Sequence, residues 1–285
     1  MKFILLKFIL WLWPFGLIYA QGLEVLSYNA YGPAYGGDLD ERTTGLGSYL
    51  VLNPYSIVGL QEVWTQDHKL QLFEVMAQQK NKDPYEKVDF NTLVDGKVGL
   101  VSLFQGKELG RGAESYIQNS DGFLDFFRGL LDVKKAVAWV RLDVAGIGSL
   151  LFVNTHLHPT SMTVRMSQVK QLAQVIHRVR LAQDELIVVG DFNFAPDSEE
   201  YVALLEEVGV KDSYTVVHGQ GSYKGVCSYC ESNPYYWGGG NRVVDYVFYD
   251  FSKESGLMPV STEFVLKEPV FSDHLGVRVL FKNRK

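Results

Sequence analysis

Glu185-Leu-Ile-Val-Val-Gly-Asp-Phe-Asn193 sets an apolar run directly against an acid and, two residues on, an amide. A short apolar run of this kind, rich in β-branched residues and bounded by turn residues, reads as a strand. Asp191 and Asn193 fall on one side of an extended chain, because side chains alternate with a period of two. A turn explains Gly190-Asp191 but leaves the matched amide unexplained. The stretch therefore reads as a core strand that delivers polar chemistry at its end.

Seven further runs have the same character: Leu23–Asn29, Ser56–Trp64, Val98–Phe104, Ala136–Val144, Leu150–Leu157, Val243–Tyr249 and Leu275–Phe281. Helical patterns fall between them at Asp40–Leu52, Gln66–Gln79, Thr163–Leu181 and Ser198–Val208. The third carries an amphipathic stripe of Val164, Val169, Leu172, Val175, Ile176 and Val179. Strands alternating with helices predict an α/β fold. Pro- and Gly-rich spots are short and lie between apolar runs, no internal repeat is visible, and one domain is expected.

The strand ends are chemically unusual. Asn29, Glu62, His156, Asp191 and Asn193 stand at or just past the ends of apolar runs, where a sheet projects side chains to one rim. Singly, each has a plain explanation: Glu62 as a surface charge or helix cap, His156 as a structural histidine. Asp245 is harder to dismiss, because it interrupts an apolar strand and a buried carboxylate is costly unless paired. His274, beside Asp273 in Phe-Ser-Asp-His-Leu-Gly, is its natural partner. His68, His177 and His218 sit in no such motif and read as surface groups, while His158 occupies a rim position near His156.

Taken in order, Asn29 and Glu62, Asn-Thr-His156, Gly-Asp191-Phe-Asn193, Asp245-Tyr-Val-Phe and Ser-Asp273-His274 resemble the motif series of the endonuclease/exonuclease/phosphatase superfamily. The likeness runs from about residue 23 to the C-terminus. Asn29-Ala-Tyr-Gly, Glu62-Val-Trp64, Lys135-Ala-Val137, His156-Leu-His158 with Arg165 and Gln168, and Cys227, Asn233 and Tyr235 before Arg242 are similar to its neutral-sphingomyelinase branch. Lys134 stands where that branch has glycine and Pro159 where many members have alanine. The resemblance implies a four-layered α/β/β/α sandwich of two mixed sheets and a metal-dependent phosphodiester hydrolase. It implies that Glu62, with Asn29 and Asp273, binds Mg²⁺ or another divalent cation such as Mn²⁺. By the same resemblance His274 is the general base oriented by Asp245, Asp191 and Asn193 place water and phosphate, and His156 stabilises the transition state. Lys135, His158 and Tyr235 would bind substrate. The implied reaction is hydrolysis of sphingomyelin to ceramide and phosphocholine; a nuclease or an inositol- or sugar-phosphatase is the alternative on the same site.

The remaining features bear on partners and location. Lys2 and Lys7 precede an apolar run from Phe8 to Tyr19 and a small residue at Ala20, the pattern of a secretory signal over 1–20 ahead of a catalytic domain over 21–285. A core helix or an uncleaved anchor is the other explanation. The chain carries 27 basic and 33 acidic side chains, net −6. Residues 1–20 hold two lysines and no acids, so without them 25 face 33, net −8. An acidic chain grips a polyanion against its own field unless a local patch or metal ions compensate, so the balance favours a phospholipid at a membrane surface and no stable nucleic-acid partner. A monomer is expected, and the N-terminus makes it a secreted one. In an exported chain Cys227-x-x-Cys230 reads as a small-loop disulfide rather than a redox or zinc site. Phe123, Phe126, Phe127, Leu130 and Leu131 fall at helical spacing, as an ordinary core-packed helix or as an element entering lipid. The aromatic loop Tyr223–Trp237 is a second candidate for the lipid interface.

Overall fold

Strands β1 (Leu23–Asn29) and β2 (Ile57–Gln61) are parallel neighbours, and the crossover between them carries helix α1 (Leu39–Leu52). Helix α2 (Gln66–Gln78), the edge strand β3 (Glu86–Asp89) and the returning strand β4 (Val101–Phe104) follow. The same order recurs later in the chain: β7 (Gly148–His156), α3 (Met162–Val179), β8 (Glu185–Asp191), α4 (Glu199–Val208), β9 (Lys211–Asp212) and β10 (Asp245–Asp250), with the short helix α5 (Ser213–His218) before β10. Antiparallel pairs complete each sheet, β5 (Lys107–Ser115) with β6 (Ala136–Val144), and β11 (Leu257–Val265) with β12 (Gly276–Asn283). The sheet orders are β11-β12-β1-β2-β4-β3 and β5-β6-β7-β8-β10-β9, matching strand for strand. A topological repeat thus underlies a sequence with no visible one. This computed structural model describes residues 22–32, 37–79, 83–119 and 134–283; the expected signal over 1–20 and the helix at 123–131 lie outside the described residues.

Three apolar clusters account for the layering. Val25, Ile57, Phe104, Val140, Phe152, Ile187, Val189 and Val279 meet between the two sheets. Val153, Leu186 and Val188 face the other way, onto Val169, Leu172 and Ile176 of α3 and Tyr201 and Leu204 of α4. Leu26, Tyr28, Val58 and Leu60 pack under Leu46 and Leu50 of α1 and Leu72 and Met76 of α2. Helices, sheet, sheet and helices therefore make the four-layered α/β sandwich with two mixed sheets. Both faces of β2 and β8 are covered, which is why their sequences are apolar without alternation.

The expected strands and helices are present with small shifts at their ends. Glu62 adopts φ 62°, so β2 stops at Gln61 and the carboxylate leaves the sheet at a left-handed turn. Asp245 opens β10 instead of interrupting it, so the apolar residues Val243 and Val244 precede the strand. Four strands have no counterpart among the expected runs: β3, β5, β9 and β11. All four are sheet edges; β3, β5 and β9 are polar, and in β11 Pro259, Ser261, Thr262 and Glu263 break up the apolar residues, so an apolar-run criterion passes over them.

Candidate active site

The register brings the polar strand ends together. His156 pairs with Asp191 across β7 and β8, Asp191 with Asp245 across β8 and β10, and Asn29 with Gln61 across β1 and β2. Parallel strands contribute their C-terminal ends here and antiparallel β10 and β12 their N-terminal ends, so one rim collects all of them. Buried Asn154 ties the two sheets near that rim, donating to Leu60 O and Val101 O at 3.0 Å each and accepting from Gln61 Nε2 at 2.8 Å. Gly190 is dictated by the same closeness: a Cβ there would lie 2.1 Å from the Thr155 carbonyl oxygen.

His274 Nδ1 and Asp245 Oδ2 are 2.8 Å apart and both residues are buried. Nε2 of His274 faces Asp191 Oδ2 at 3.8 Å and Asp273 Oδ1 at 3.9 Å. Against burial, which favours the neutral ring, the Asp245 and Asp191 carboxylates raise His274 to about 10. Burial, reinforced by the Asp245 charge, pushes Asp191 up to about 7, and Asn29 Nδ2 donates to its Oδ2 at 2.9 Å. His156 Nε2 stands 3.4 Å from Asp191 Oδ2 and 3.9 Å from Glu62 Oε1, with Lys135 Nζ 2.7 Å away. The Lys135 ammonium also lies over the Trp64 ring, 5.2 Å from its centroid.

Not every expected residue faces the rim in the same way. Asn193 lies past the strand end at φ 55°, and its Nδ2 donates to Leu157 O at 3.1 Å, so the extended-chain placement is replaced by a left-handed turn. His158 is buried, its Nδ1 accepting from the Thr160 and Ser161 amides while its own amide donates to Gln168 Oε1. Arg165 grips Glu200 and the His158 carbonyl, so the Arg165-Gln168 pair shapes the loop behind His156. Tyr235 packs on Tyr31, ring centroids 6.3 Å apart, at the mouth. His68 corrects the sequence expectation: it is 4% exposed, and burial holds it well below its usual value, at about 4.

Sequence reasoning missed the residues that hold the acid–base pair in place. Cys227 and Cys230 form a disulfide, and the two residues between them serve the site. Ser228 Oγ accepts from the Val244 and Asp245 amides, and Ser228 O accepts from Leu275 N at 2.7 Å. Tyr229 packs against the His274 ring, centroids 5.2 Å apart. Ser272 Oγ accepts from His274 N at 3.0 Å, and Asn233 Nδ2 donates to Ser272 O at 2.8 Å. Of these, Asn233 was marked by the branch resemblance, whereas only nearness in sequence to the cysteines and to Asp273-His274 marked Ser228, Tyr229 and Ser272.

A divalent cation fits this donor set. Glu62, Asp191, Asp245 and Asp273 crowd one rim, where among the described residues His156, His274 and the Lys135 ammonium stand beside them. From protein charges alone, burial raises Asp273 to about 6 and Glu62 adds to it. Asp245 Oδ1 is buried without a hydrogen-bond partner. Hard carboxylate and amide oxygens suit Mg²⁺ or Mn²⁺. Among the described residues, one ligand atom each from Asp191, Asp245 and His274 lie within 4.8 Å of one another. There Nδ1 of His274 and Oδ2 of Asp245 already bind each other, so Glu62 and Asp273 are the better-placed carboxylates for an ion. Asn29 Oδ1 accepts from Tyr31 N at 3.0 Å and keeps a second lone pair.

The model of the endonuclease/exonuclease/phosphatase family matches residues 26–274, which span every one of these groups. The chain belongs to that family. A putative neutral sphingomyelinase of Caenorhabditis elegans is 25% identical over 214 residues, covering 70% of this chain and 47% of the relative. An inositol phosphosphingolipids phospholipase C of Saccharomyces cerevisiae is 26% identical over 181 residues, covering 58% of this chain and 35% of the relative. The matched regions therefore span about half or less of those family members' lengths. In fold, sphingomyelinase C from Streptomyces griseocarneus superposes with TM-score 0.68 at 16% identity, over 92% of this chain and 99% of its own. The beta toxin of Staphylococcus aureus, solved with bound magnesium ions, gives 0.67 at 14% identity, over 91% and 99%. The endonuclease/exonuclease/phosphatase fold is thereby shown; at such identities the structural matches say nothing of the substrate.

Proposed function

We propose that this chain is a secreted, metal-assisted phosphodiesterase of the phospholipase C type that hydrolyses sphingomyelin to ceramide and phosphocholine. The observation that carries the chemistry is the buried His274–Asp245 pair facing Asp191. In the neutral form of the ring, with Nδ1–H donated to the Asp245 carboxylate, Nε2 is the nitrogen free to take a proton from water. Asp191, itself held by Asn29, orients that water. As the water oxygen bonds to phosphorus, the bond to the ceramide oxygen breaks. Lys135, its ammonium 2.7 Å from His156 Nε2, sets a positive hydrogen-bond donor beside the phosphate, where negative charge grows in the transition state, and His156 lines the same wall. Glu62 and Asp273, with Asn29 beside them, would hold a divalent ion that neutralises phosphate and leaving-group charge.

Three further features favour a lipid substrate. The acidic chain has no net excess of basic groups to draw in a polyanion, and the relatives matched by sequence are named for sphingolipids. At the mouth, Trp237 is 66% exposed while its indole donates to the Tyr31 hydroxyl, an amphipathic placement suited to the headgroup level. Residues 21–285 with Mg²⁺ should be offered sphingomyelin, phosphatidylcholine, plasmid DNA and inositol phosphates side by side. Release of phosphocholine from sphingomyelin, abolished by chelation, is the expected result. Plasmid nicking that falls steeply with salt, with lipid vesicles untouched, would sink the lipase reading and leave the site standing. Export is tested separately by mass spectrometry of extracellular protein, which should begin near Gln21.

A further inference from the structure

We infer that Arg42 is a positioning residue that fixes the separation between Asn29 and Asp273; the inference rests on the proposal that these residues border the metal. Arg42 lies on α1, away from every motif of the site, and is only 4% exposed. Among the described residues no carboxylate forms a salt bridge with it. Its guanidinium instead spans three segments. Nε donates to Gly37 O at 3.0 Å; Nη1 donates to Tyr31 O at 2.8 Å, to Ala30 O at 3.3 Å and to Phe271 O at 3.0 Å. The Tyr31 and Tyr235 rings flank it, their centroids 5.0 and 5.1 Å from Cζ.

The segments it joins are the ones the sheet leaves loose. Strands β1 and β12 are neighbours, but their pairing ends at Ser27 opposite Val277. Asn29 and Asp273 both lie beyond that last pair, so no ladder hydrogen bond between β1 and β12 sets their spacing. Ala30 directly follows Asn29, and Phe271 stands two residues before Asp273. Arg42 supplies the missing cross-brace. A buried cation with no ion-pair partner is costly, and here carbonyl dipoles and two ring faces offset that cost. Only a planar fork can hold several carbonyls at fixed angles; an ammonium on a flexible stem cannot.

The test is a Mg²⁺ titration followed by the shift in melting temperature without substrate, alongside turnover, for wild type and Arg42→Lys. Loss of an outer brace weakens metal binding by about 10–100-fold, so the half-saturating Mg²⁺ of Arg42→Lys should rise at least about tenfold in both readouts. Saturating Mg²⁺ should then restore most of the turnover, which a general loss of folding would not permit. Arg141→Met is the control for destabilisation: it breaks the Arg141–Asp184 pair at the opposite end of the sheet and should lower the melting temperature with an unchanged Mg²⁺ midpoint. If Arg42→Lys does not fold, Tyr235→Leu, which removes one flanking ring and keeps the hydrogen bonds, should move the midpoint in the same direction by about two- to threefold. A wild-type midpoint in folded Arg42→Lys, or in Tyr235→Leu where that variant stands in, overturns the role of Arg42 alone. No Mg²⁺ response in wild type overturns the metal reading and this inference together.

Discussion

Replacing Asp245 by asparagine keeps a hydrogen-bond acceptor beside His274 and removes one charge. The two groups touch at 2.8 Å and both are buried. At an effective dielectric of about 20, unit charges that close attract by about 6 kcal/mol, equivalent to about four pKa units. Held at about 10 by its carboxylates, His274 should therefore fall to about 6 in Asp245→Asn. The ring becomes neutral at pH 7 yet is a far weaker base, and its Nε2 is no longer held in the required tautomer. Loss of such a carboxylate behind a histidine base lowers turnover by about 10⁴-fold in the best-known hydrolases, about 5.5 kcal/mol of barrier. We expect a fall of about 10²–10⁴-fold in kcat for phosphocholine release, with the acidic limb of the pH–rate profile displaced to lower pH. Circular dichroism should show native secondary structure. Near-normal kcat in folded Asp245→Asn would remove the pair from the mechanism.

Glu62→Gln should lower kcat by about 10³-fold, the scale of losing several kcal/mol of ion-borne stabilisation, and should abolish any melting shift caused by Mg²⁺; retention of that shift would place the ion elsewhere. His68 is neutral in the fold down to about pH 4, whereas the unfolded chain protonates it at about 6.5, so its contribution to stability is intact above 6.5 and declines as pH falls towards 4. Urea titrations should show wild type losing up to about 3 kcal/mol more than His68→Asn across that window; parallel curves would contradict the buried neutral ring. Replacing Cys227 and Cys230 together by serine removes a short-loop link of about 2 kcal/mol, and should lower kcat about tenfold at temperatures where the protein is still folded, because Ser228 and Tyr229 lose their hold on Asp245 and His274. Activity that tracks only the folded fraction would assign the disulfide to stability alone.

Apolar content and spacing were enough to locate the inner strands and the four long helices, because a strand covered on both faces tolerates few polar residues. The edge strands β3 and β11 escaped for the converse reason: solvent on one side lets Glu86, Lys87 and Glu263 sit in a sheet. His68 was misjudged because helix position alone does not say which face is covered, and α2 turns it inward against Gly32. Arg42 left no trace at all. Its value lies in backbone carbonyls supplied by residues up to 229 positions away, and a carbonyl has no sequence signature.

The sequence by itself singled out Asn29, Glu62, His156, Asp191, Asp245, Asp273 and His274, each at or within a few residues of the end or start of a core strand. The layer count came from the family resemblance that those motifs carry, and the packing of helices on the two sheets bears it out. Tertiary structure alone decided what those residues do to one another. Burial at the strand end, with the Asp245 charge that the register sets beside it, raises Asp191 to about 7, and only the fold of the Cys227–Cys230 loop brings Ser228 to the Asp245 amide. A residue's identity is local, whereas its ionisation and orientation depend on charges, burial and hydrogen bonds from segments that chain order leaves far apart.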